Sequence, residues 1–140
     1  MRTSAMVAAL LAAALAACAT HELDPELKAE AEKPLICSGA EQCTAAWRAG
    51  QVWVATHSGY KVQTVSDSIL QTYGPPGAIS STYAYELLRM PQGDGTERIV
   101  IKPFCGSIPL CSASPLEVAV DFKRTVTNAI GRSTAAAPTQ

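Results

Sequence analysis

Residues 82–104 read TYAYELLRMPQGDGTERIVIKPF. Two runs flank Gly93-Asp94-Gly95, a turn tripeptide rich in residues that accept unusual backbone angles. In the first run, Tyr83, Tyr85 and Leu87 alternate with Ala84, Leu88 and Met90. Leu and Glu also suit a helix, but flanking prolines and the glycine turn favour a hairpin of Thr82–Met90 with Glu97–Phe104. Ile99, Val100 and Ile101 are expected to be the most buried strand residues, and Pro103 marks a strand end or an edge position.

Upstream, Tyr60, Val62 and Thr64 alternate with Lys61 and Gln63, Ser66-Asp67-Ser68 reads as a turn, and Ile69–Tyr73 resumes the strand pattern. Gly74-Pro75-Pro76-Gly77 ends it. Helical patterns lie outside this strand block. Ser38-Gly39-Ala40-Glu41 has the form of a capping box. The residues that follow place Cys43, Ala46, Trp47, Gly50 and Val54 on one face with Trp53 beside it. His57 and Gly59 are stop signals. Downstream, Ser114-Pro115-Leu116-Glu117 repeats the box with proline at the first helical position. This second helix is expected to run to about Ile130 with Gly131 as terminator. Its apolar stripe is Leu116, Ala119, Phe122, Val126, Ala129 and Ile130.

The order is helix, strands, helix, with no helix between strands. The expected fold is therefore α+β: an antiparallel meander of three to four strands with an N-terminal and a C-terminal helix packed on one face. The domain spans 35–132, and 133–140 is expected to be a disordered tail.

The chain has five cysteines. Cys37 and Cys43 share their spacing with Cys105 and Cys111. Four cysteines allow three pairings. Local pairing closes the shortest loops; cross-pairing would tie the two halves together. A zinc site usually has two to four residues between ligand cysteines, whereas each pair here encloses Ser38–Gln42 or Gly106–Leu110.

Before the domain, Glu22, Asp24, Glu26, Glu30 and Glu32 outweigh Lys28 and Lys33. This acidic stretch, within 18–34, is expected to be a solvated tether. Asp24-Pro25 is able to start one helical turn, with Asp24 as cap.

Arg2 precedes an unbroken apolar run, Ala5–Ala17, which ends at Cys18. A membrane span needs about 20 apolar residues, so this shorter run reads as a cleaved leader over 1–17. Ala14-Leu15-Ala16 also fits ordinary signal peptidase, which would release a soluble protein. Leu15-Ala16-Ala17-Cys18 resembles the lipobox of bacterial lipoproteins. Together with Cys37–Cys43 before Trp47 and Cys105–Cys111 before the last helix, it makes the chain similar to small proteobacterial envelope lipoproteins whose domain has no assigned biochemical role. The resemblance implies that Cys18 is acylated, palmitate included, and becomes the first mature residue. Ala19 then implies outer-membrane delivery, with membrane lipid as the partner of Cys18 and the domain in the periplasm.

No catalytic constellation is legible. The two histidines, His21 and His57, have no neighbouring nucleophile motif, and no phosphate loop or dinucleotide fingerprint is present. A glycosidase-like pair needs only two carboxylates brought together by the fold, and the domain's carboxylates are Glu41, Asp67, Glu86, Asp94, Glu97, Glu117 and Asp121. A formal net charge of −1 and few aromatics do not suggest nucleic-acid binding. The expectation is a non-enzymatic domain, without cofactor or metal, that binds or supports another envelope protein. The alternative is an inhibitor of a lysozyme-type hydrolase acting through the Cys105–Cys111 loop. Trp53, Tyr83 and Tyr85 are the candidate binding residues, with burial of the aromatic helix face as the competing role.

Overall fold

Gly93 and Gly95 both take positive φ, +85° and +83°, and Asp94 between them accepts hydrogen bonds from the Thr96 amide at 2.9 Å and the Thr96 hydroxyl at 2.6 Å. These contacts hold the Asp94 carboxyl below its ordinary pKa. The turn joins β4 (Ala84–Pro91) to β5 (Thr96–Phe104), the hairpin expected from the sequence. The computed structural model describes residues 24–77, 79–106 and 110–135. The leader, Cys18 and residues 136–140 lie outside the described residues. Among the described residues, no helix is long and apolar enough to cross a membrane.

The class is α+β. Five antiparallel strands form one sheet in the order β1-β5-β4-β3-β2, with β1 Leu35–Ser38, β2 Val62–Val65 and β3 Ile69–Thr72. The meander β2-β3-β4-β5 matches the reading. Ser66 caps its first turn, accepting the Ile69 amide at 3.2 Å. β1 is an addition: Leu35 pairs with Ile99 and Cys37 with Glu97, so a short segment at the start of the domain completes the far side of the sheet.

α1 (Pro25–Glu32) precedes β1. Asp24 caps it, accepting the Glu26 amide at 2.9 Å. A freely solvated tether is therefore not what the described part of this stretch forms. The Arg124 guanidinium grips Glu30 through two bonds of 2.7 and 2.6 Å. The Lys123 ammonium donates to the carbonyls of Glu30, Ala31 and Lys33, where a helix end leaves acceptors unused. No residue of α1 is buried, so polar contacts hold it in place.

α2 (Gly39–His57) buries Cys43, Ala46, Trp47, Gly50, Trp53 and Val54, as the spacing predicts. Its capping differs. Ser38 makes no side-chain cap bond; its amide is instead taken by Gln42 Oε1 at 3.3 Å. Gly39 has φ +74° and donates its N–H to Gly95 at 3.1 Å. This left-handed step changes how the strand enters the helix, and Gln42 rather than Glu41 reaches back.

α3 (Pro115–Ala135) begins with the expected box: the Ser114 amide donates to Glu117 at 2.7 Å, and the Glu117 amide donates to Ser114 Oγ at 3.1 Å. These bonds lower the Glu117 pKa. Gly131 does not end the helix. Ser133 and Thr134 hydroxyls bond back to the Ile130 and Gly131 carbonyls at 2.8 Å each, so residues 133–135 are helical rather than part of a disordered tail. Val118 and Val120 join Phe122 and Val126 as the buried residues, while Leu116, Ala119, Ala129 and Ile130 are half-buried.

α2 and α3 share a core with the sheet that includes Trp47, Val54, Leu70, Tyr85, Leu87, Ile99, Phe122 and Val126. β4, the middle strand, is more buried than β5. Ala84, Tyr85 and Leu87 are fully buried, whereas Val100 and Ile101 are half-buried and Ile99 alone matches its expectation in full. Val100 pairs with Leu88 and alternates away from Ile99, which places both on the face opposite the helices. Gly50 allows the close packing: a β-carbon there would lie 3.0 Å from Leu87 and 3.4 Å from the Phe122 ring.

Both disulfides are local. Cys37–Cys43 ties β1 to α2 with its α-carbons 5.1 Å apart, and Cys105–Cys111 closes the loop between β5 and α3 at 6.2 Å. Pairing consumes the thiolates that a zinc site would need.

Candidate functional site

Trp53 and His57 lie one turn apart at the end of α2, and Glu117 and Asp121 one turn apart at the start of α3. Tyr83 immediately precedes β4 and Tyr85 lies in it. Together with Ser81, Thr82, Ser112, Ala113 and Val118, these residues line a groove of about 380 Å³.

The aromatic wall is tightly organised. His57 stacks on Trp53 with ring centres 4.2 Å apart and planes within 8°. Tyr85 and Phe122 meet the same indole edge-on at 5.2 and 5.3 Å, and Tyr83 lies against Tyr85 at 5.9 Å. Such offset and edge-on arrangements suit the charge distribution of aromatic rings.

The polar groups are fixed from both helices. Trp53 Nε1–H donates to Asp121 Oδ2 at 2.8 Å. His57 Nδ1 lies 2.8 Å from the Trp53 carbonyl and 3.0 Å from the Thr56 hydroxyl. The other nitrogen, Nε2, faces Asp121 Oδ2 at 3.7 Å. The Tyr83 hydroxyl donates to the Ala113 carbonyl at 2.8 Å and pins β4 to the turn before α3. Burial raises the Tyr83 phenol, with Glu117 adding to it. Burial pushes the Tyr85 phenol up to about 12, helped by Tyr83 and Asp121.

Trp53, Tyr83 and Tyr85 are thus brought together. They are nearly wholly buried, so they build the groove's walls and floor instead of an open aromatic platform. His57 and Asp121 were not legible as site residues. His57 reads as a helix stop signal and Asp121 as one surface carboxylate among several. The available signal was the shared i,i+4 faces, Trp53 with His57 and Glu117 with Asp121. The Thr56 hydroxyl lies 3.0 Å from His57 Nδ1 and also reaches the Val52 and Trp53 carbonyls at 2.9 and 3.0 Å.

A second cavity, of about 440 Å³, lies where α1 meets α3. Of its charged groups, Glu30, Lys123 and Arg124 bind one another or carbonyls at the end of α1, and Lys33 lines it as well. The cysteine pairs, the remaining predicted residues, are covalently closed and contribute no chemistry to either cavity. Comparisons of the chain with protein-family models, curated proteins and solved structures find no match.

Proposed function

We propose that this chain is a lipid-anchored envelope protein, held at the outer membrane through acylated Cys18, whose periplasmic domain binds a partner and does not turn over a substrate. The supporting observation is the disulfide pairing. Cys37–Cys43 and Cys105–Cys111 fit an oxidising compartment, and of the five cysteines they leave Cys18 for acylation at the end of the apolar run. More than one acyl chain on that cysteine makes anchoring stable, each buried methylene contributing about 0.8 kcal/mol. The groove suits binding: it offers two carboxylates, a phenol and apolar walls.

Metabolic labelling with palmitate tests the anchor. The wild-type chain is expected to take up label and sediment with outer membranes. Cys18→Ala, or globomycin treatment, leaves unlabelled precursor. Normal processing of an unlabelled wild-type chain overturns the proposal. An exposed Leu110 in the Cys105–Cys111 loop supports a second reading, insertion of that loop into a hydrolase cleft. Lysozyme assays with the purified chain separate the two, since a simple binding domain leaves lysozyme activity unchanged.

A further inference from the structure

The groove carries unbalanced negative charge. Glu117 and Asp121 line it, and no lysine or arginine does. Among the described residues, neither carboxylate has a lysine or arginine within ion-pair distance, while Glu97, Glu86 and Glu30 are paired with Arg89, Lys102 and Arg124. Asp121 uses Oδ2 for the Trp53 indole, and Glu117 uses Oε2 for its capping bond. Each keeps a second oxygen.

An independent observation comes from the floor. Tyr85 is 3% exposed, yet its hydroxyl has no hydrogen-bond partner among the described residues. No fully enclosed polar side-chain atom among them lacks a partner, so this hydroxyl is reached from the groove it lines. A phenol held in an apolar wall with its hydroxyl unspent is a group awaiting a partner.

We infer that the groove binds the guanidinium or ammonium head of a basic ligand, with Asp121 and Tyr85 accepting its N–H bonds and Glu117 adding charge. An anion meets two carboxylates. A neutral sugar needs an open aromatic face, and His57 covers that of Trp53. The inference rests on the binding role proposed above but not on the anchor. Loss of palmitate labelling leaves it standing, and its failure leaves the anchor standing.

The test uses the full chain, isotope-labelled and purified in a neutral detergent. The probes are N-acetylarginine amide, putrescine and the neutral isostere N-acetylcitrulline amide. The readout is the Trp53 indole N–H resonance, with Trp47 as internal reference. Arginine amide or putrescine is expected to shift the Trp53 signal saturably, with citrulline amide at least about tenfold weaker. A stronger response to arginine amide identifies a peptide side chain as the source, and a stronger response to putrescine a free polyamine; either supports the inference. Asp121→Asn retains an acceptor for Trp53 and should weaken binding by about tenfold, and Tyr85→Phe by about threefold. The absence of a saturable shift up to about 50 mM overturns the inference. So does an equal response to citrulline amide, or unchanged binding by a folded Asp121→Asn variant.

Discussion

Trp53 on α2 donates its indole N–H to Asp121 on α3 over 2.8 Å, joining two helices far apart in sequence at the rim of a groove. The indole is almost entirely buried, so without Asp121 its N–H has no acceptor in place. Asp121→Ala is expected to lower stability by about 1–3 kcal/mol, the usual cost of a stranded buried donor. Asp121→Asn should recover most of that loss, because its amide oxygen still accepts. Urea unfolding of the two variants checks this; equal losses would mean that charge, not the hydrogen bond, fixes the indole.

Gly50 and Gly131 are both helical, but alanine should act on them in opposite senses. Alanine is favoured over glycine in a helix interior by about 1 kcal/mol. At Gly131 the added methyl meets nothing within 4 Å, so Gly131→Ala should stabilise by up to about 1 kcal/mol. At Gly50 it presses on Leu87 and Phe122, both fully enclosed and unable to move aside cheaply. Overpacking costs about 1–3 kcal/mol, so Gly50→Ala should destabilise overall. Thermal melts of the two variants give the signs directly.

Lys123 holds α1 by its carbonyl end. Burial, together with Arg98, pulls the lysine pKa down, and Glu30 partly opposes this. Lys123→Met keeps the apolar stem and removes the ammonium. Amides of residues 25–32 should then exchange at least about tenfold faster, with those of α2 and β4 little changed, because α1 opens as a local unit. Unchanged protection in α1 would place the whole grip on the Glu30–Arg124 pair.

Alkaline pH should weaken the fold through Tyr85. Its phenol ionises near about 10 in an unfolded chain and at about 12 in the folded one. Between those values the unfolded state has released a proton that the folded state retains, so stability falls as pH rises through this window and levels off above it. Tyr83 shifts in the same direction. Urea midpoints at about pH 9 and about pH 11 should differ less in Tyr85→Phe than in wild type. An equal difference in both would assign the loss to other groups.

The parts of the fold legible in the sequence were those with a local cause. The Ser114–Glu117 box, the Gly93–Gly95 turn and the short cysteine loops each depend on residues within a few positions of one another. β1 escaped notice because its four residues owe their conformation to β5, across the whole domain, and Ser38 carried a stronger local signal as a cap. α1 looked solvated because what holds it, Lys123 on its last carbonyls and Arg124 on Glu30, lies about ninety residues on. In the site, the aromatic members stood out by type. His57 and Asp121 did not, since surface histidines and aspartates are common and only the packing of α2 on α3 brings these two within 3.7 Å.

The pairing of Leu35 with Ile99 also fixes an order of events. β2 with β3 and β4 with β5 are joined by short turns and are able to zip up as the chain appears. β1 has nowhere to go until the last strand exists. Closing so long a loop is slow, and it comes after local hairpins have formed. In a chain that emerges N-terminus first, β1 is therefore fastened only after strands made later, and α1 reaches its place on α3 only when the C-terminal helix is there to receive it.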